Sequence, residues 1–155
     1  MEIKNLKREY DILEKKYKLP SFKELNENFE IDKIENESEL ILRSIRKIIM
    51  EKLINSINFL EFLINPVNAP RMYMNYLKNI SAKDKEMIDN IYSAFAKISL
   101  DSLDLEINYS EKNEAELIIN VNNLWNEKKS DFSRILNHIK NPEPQEARKE
   151  KSYFG

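Results

Sequence analysis
Between Leu40 and Ile64 the chain places 15 apolar residues in 25 positions, without a proline or glycine in the run. One face of an amphipathic helix takes only three or four apolar positions in every two turns. A run this dense predicts a central helix over 40–64, contacted on several sides, with the rest of the chain arranged around it. The prolines of "NPVNAP" end it, because proline donates no amide and disfavours helix in the residue before it.

Flanking segments read as helices with narrower apolar faces. Ile3, Leu6, Tyr10, Leu13 and Tyr17 recur at spacings of 3, 4, 3 and 4, one stripe of a helix that stops at Leu19-Pro20. Ser21 to Glu24 has the form of a capping box, the serine taking one orphan amide and the glutamate another. A short helix follows with Phe22, Leu25 and Phe29 inward, and then an acidic connector over 30–39. Pro70 is placed to start a helix over 71–80. Ser81 is the next predicted cap, before Met87, Ile88, Ile91, Tyr92, Phe95 and Ile98 at helical spacing. "LDLEINY" alternates like a strand, but a lone strand has no pairing partner, so helix to about Ile107 is the preferred reading. A turn at 108–110 then leads into a helix with Ala115, Ile118, Val121 and Trp125 inward. A kink or break is expected at "NEKKSD", before a last stripe of Phe132, Ile135, Leu136 and Ile139. The predicted fold is all-α: one irregular bundle of five or six helices over 1–140, followed by a polar tail over 141–155 with an aromatic tip.

Composition narrows the function. The only glycine is Gly155, so the glycine-rich loops that let a backbone close on phosphate have no place here. By the same argument, positive-φ helix ends are expected at asparagines such as Asn65, Asn108 or Asn141. The net charge of −2 supplies no overall field toward nucleic acid or acidic lipid. No apolar run approaches the roughly 20 residues of a membrane span. No cysteine is present and the opening "MEIKNLKREY" lacks an apolar leader, which fits a reducing cytoplasm. Neither cofactor nor metal is predicted. The single histidine, His138, cannot supply two Glu-x-x-His pairs, and Glu111, Glu114 and Glu116 read as a solvated first helical turn.

Three candidate sites remain. The segment over 68–78 contains no acid and sets Arg71, Met72, Tyr73 and Tyr76 close together. Methionine adapts its shape, and arginine and tyrosine are frequent interface anchors, so these four residues are predicted to bind another protein. Tyr153 and Phe154 are predicted to join them as an anchor on a solvated tether stiffened by Pro142 and Pro144. The principal expectation is therefore a non-enzymatic interaction module or adaptor subunit. The second reading is an RNA- or DNA-associated subunit. It draws on the block over 41–80, which holds six basic and two acidic residues, through Arg43, Arg46, Lys47, Arg71 and Lys78. The third is a helical RNase or toxin built on His138. Here Arg134 precedes the histidine as R-x3-H, a shorter spacing than the R-x4 to R-x6 of helical RNA-cleaving domains of the HEPN type.

Overall fold
The computed structural model describes residues 3–34 and 40–141. Among these lie α1 (Ile3–Tyr17), α2 (Phe22–Phe29), α3 (Ile41–Ile64), α4 (Arg71–Lys78), α5 (Ala82–Ile107) and α6 (Glu111–Lys140). Short 3-10 turns over Ile31–Lys33 and Pro66–Asn68 flank α3, and no strand occurs among the described residues. The arrangement is an all-α bundle.

Helix starts follow local chemistry. Ser21 Oγ accepts from the Glu24 amide, Ser81 Oγ from the Asp84 amide and Ser110 Oγ from the Asn113 amide, at 3.2, 3.1 and 3.3 Å. Each hydroxyl satisfies an amide that has no partner within its own helix. Helix ends depart from expectation. Asn65, Asn108 and Asn141 all have φ near −120°, and the described residues with positive φ are Lys18 and Glu30. Each is followed by a buried residue, Leu19 or Ile31. A left-handed conformation costs a non-glycine residue roughly 1–2 kcal/mol. Burial of the next aliphatic side chain offsets much of that cost.

The helix α3 is central. Ile45, Ile49, Leu53 and Leu60 are completely buried, and the helix packs on both α5 and α6. Arg46 meets Ser102 and Glu106, whereas Glu61 meets Tyr92, so α3 and α5 run antiparallel. The predicted break at "NEKKSD" is absent: α6 is one helix of 30 residues. Tertiary contacts hold that stretch. Trp125, just before it, lies 5.8 Å from the Phe29 ring and 6.1 Å from the Phe95 ring, and Phe132, just after it, packs on Phe59 at 5.4 Å. The α2 glutamate also departs from the capping-box prediction. Glu24 Oε1 accepts from the Asn122 and Asn126 amides at 2.7 and 2.9 Å, while Asn28 donates to the side-chain oxygens of the same two asparagines. Glu24 therefore joins α2 to α6 rather than closing its own helix end.

Candidate interaction site
The corner where α4 joins α3 to α5 brings together most of the residues predicted to bind a partner. The helix α4 follows two prolines and has eight residues, so its face is set by packing more than by its own stability. Tyr73, Tyr76, Leu77 and Ile80 follow helical spacing and turn toward the bundle. The Tyr73 ring meets Phe59 edge-on at 5.7 Å, and Tyr76 is buried with its ring 6.4 Å from that of His138. This corrects part of the predicted partner surface: Tyr76 belongs to the core and Tyr73 is half-buried against it. Arg71 and Met72 face outward, Met72 at 67% exposure. Tyr153 and Phe154 lie outside the described residues.

Beside α4 is a cleft of about 390 Å³ lined by Leu63, Ile64, Pro66, Leu77, Ile80 and Ile88, with Lys85 and Asp89 completing its wall. Val67, on the connecting turn, is 83% exposed. Sequence reading missed Val67 and the cleft. The available signal was a valine isolated between two prolines, where no helical face shelters it.

Behind α4 is a polar cluster. Arg134 Nη2 donates to Asp84 Oδ1 at 3.3 Å, and His138 follows one turn later on α6. Burial pushes the Tyr76 hydroxyl up to about 12, the Asp84 charge adds to the shift, and the Arg134 charge opposes it. The pair singled out for RNA cleavage is thus tied into packing. Arg134 is held by Asp84, and the His138 ring lies against Tyr76.

The basic block over 41–80 does not form one surface. Arg46 is 2% exposed and donates to Glu114, Ser102 and Glu106 at 2.6, 2.7 and 2.9 Å. Arg43 donates to Glu106 at 2.6 Å. The Lys52 ammonium donates to the Asn28 carbonyl and lies 4.7 Å from the Trp125 ring centre. Among the five residues of the nucleic-acid reading, Lys47, Arg71 and Lys78 are exposed. Internal acids neutralise Arg43 and Arg46, which removes the centre of the expected patch. The same network corrects the acidic first turn of α6. Glu114 is completely buried against Arg46, and Glu111 accepts from Lys16 at 2.8 Å and from the Tyr17 hydroxyl.

Among the described residues, no three histidine, aspartate or glutamate side chains converge as a metal site, and no helix is long and apolar enough to cross a membrane. Comparison with known proteins finds no family model, no curated protein and no solved structure that matches the chain.

Proposed function
We propose that this protein is a non-enzymatic protein–protein interaction module that receives an apolar side chain of another polypeptide at the α4 corner. One observation carries the reading: exposed Val67 and Met72 lie on the turn and helix that also contribute to a cleft of about 390 Å³, whose aliphatic lining is edged by Lys85 and Asp89. An exposed methionine and valine gain by being covered, and a partner side chain that meets Leu63, Leu77, Ile80 and Ile88 in the cleft removes further apolar area from water. Arg71, exposed on the first turn of α4, supplies a polar rim. Tyr153 and Phe154 are assigned to the same role as a tethered second contact, which raises the local concentration of a weak first one. The cytoplasm is the compartment that suits a cysteine-free chain.

The test is affinity purification from the native host with three baits: the full chain, Met72→Glu and Val67→Asp. The expected result is a protein retained by the full chain and lost from both variants, each with an unchanged melting temperature. Its affinity should also fall for a chain ending at Asn141. Identical captures with all three baits would refute the corner as the site. Salt-sensitive retention of RNA or DNA by the full chain, abolished in Lys47→Glu, would favour the nucleic-acid reading instead.

A further inference from the structure
The C-terminal half of α5 carries an apolar stripe that no described element covers. Leu100, Leu103 and Ile107 are 66%, 59% and 80% exposed. With Ala96, which is itself half-buried, they recur at spacings of 4, 3 and 4 along one line of the helix. The inward face of α5 is separate, and uses Ile88, Ile91, Phe95, Ile98 and Leu105. Single exposed apolar residues are ordinary, whereas a contiguous row on one face marks a contact surface. The row lies toward the opposite end of α5 from the α4 corner.

We infer that this stripe is the contact between two copies of this chain, which pair α5 against α5 antiparallel about a twofold axis. The 4-3-4 spacing is what points to a second copy, because it reads the same in both directions. An axis crossing between Asp101 and Ser102 sets Leu100 of each copy opposite Leu103 of the other, and Ala96 opposite Ile107. Such self-complementarity is what a twofold interface requires. Ser93, Ala96 and Ser99 are small, so no long side chain holds the helices apart. Charge agrees with the same arrangement. Lys97 and Asp104 are seven residues apart and share one edge of the stripe. In an antiparallel pair like edges meet, so Lys97 of each copy lies across from Asp104 of the other. The two are offset by two residues, about 3 Å along the axis, which a lysine side chain spans. The twofold axis repeats this ion pair. A parallel twofold pairing would instead bring unlike edges together and leave the Lys97 and Asp104 edges of the two copies on opposite sides of the contact.

Sedimentation velocity on the full chain, from about 1 to about 500 μM, covers the range expected for so small a contact. The wild type should pass from monomer to dimer across that range. Leu103→Glu buries a carboxylate in each half of the contact and should weaken dimerisation by about a hundredfold or more. Lys97→Asp should weaken it several-fold, and Lys97→Asp with Asp104→Lys should restore it. Circular dichroism checks that the variants remain helical; should Leu103→Glu lose helicity, Leu100→Gln serves in its place. A wild type that stays monomeric throughout, or a dimer that survives substitution of the stripe, overturns the inference. A charge-swapped double variant as weak as Lys97→Asp overturns the antiparallel pairing.

Discussion
Arg46 and Glu114, 68 residues apart in the chain, meet inside the bundle with Arg46 Nε 2.6 Å from Glu114 Oε2. Their side chains are 2% and 0% exposed. The contact joins α3 to α6, and through Ser102 and Glu106 the same guanidinium reaches α5. One arginine thus ties the three long helices together. A buried ion pair of this kind contributes little over well-packed apolar residues, but removal of one member leaves the other charged and dry.

Arg46→Ala should therefore destabilise the protein by about 3–5 kcal/mol, because Glu114 is then left buried without its partner. Arg46→Met with Glu114→Leu should recover most of that loss. Urea unfolding of the three proteins checks this. A single variant costing less than about 1 kcal/mol would show that water reaches Glu114 after all.

Acid should weaken the same junction from its exposed side. Hydrogen bonds from Arg43 and then Arg46 hold the Glu106 carboxyl at about 2, against an ordinary 4.5. The folded value lies below the unfolded one, so this contribution is complete above about pH 4.5 and is lost as pH falls toward 2. Glu106→Gln should flatten that part of the stability curve and leave the slope near neutrality unchanged. An acid limb identical to wild type would exclude Glu106 as a contributor.

The central helix makes a simpler prediction. Ile49 and Leu53 are completely buried in α3, between α5 and α6. Leu53→Ala should cost about 2–5 kcal/mol, the loss of buried methyl groups plus a cavity. Ile54→Ala, one residue on and exposed, should cost under about 0.5 kcal/mol. Equal costs at the two sites would mean that the faces of α3 are assigned wrongly.

The asparagine cluster tests the joint between α2 and α6. Asn122 accepts from Asn28 at 2.9 Å and donates to Glu24 at 2.7 Å, and it is itself buried. Asn122→Ala should cost about 1–3 kcal/mol, since buried polar partners are left unpaired. Hydrogen exchange should show α2 opening sooner in the variant. Unchanged protection across α2 would place the joint elsewhere.

On the α4 corner, Tyr76→Phe removes a buried hydroxyl that has no partner among the described groups. Stability should stay the same or rise by up to about 1 kcal/mol. Tyr76→Ala should cost about 3–5 kcal/mol, as expected for a buried aromatic. Thermal or urea unfolding separates the two outcomes, and a Phe variant weaker by over about 1 kcal/mol would reveal a hidden partner for the hydroxyl.

What the sequence determined by itself is local. The bounds of α1, α2, α3 and α5, the serine caps at Ser21 and Ser81 and the stop before Pro66 all depend on residues within about one helical turn. Apolar spacing, a cap hydroxyl and a missing proline amide are legible at that range. Tertiary structure decided what each face meets. Arg46 reads as a polar residue of the central helix, yet it is buried because Glu106 and Glu114 come to it from over 50 residues away. Glu24 has the spacing of a cap and serves α6 instead, since Asn122 and Asn126 offer their amides. The stretch after Trp125 reads as a break and stays helical, because the aromatics on either side are packed against α2, α3 and α5. Tyr76 and Leu103 show the same division: both sit on helices drawn correctly from the sequence, one turned into the core and the other into solvent. Helical periodicity says which residues share a face. Which face is covered depends on the position of every other helix, and no short stretch of sequence contains that.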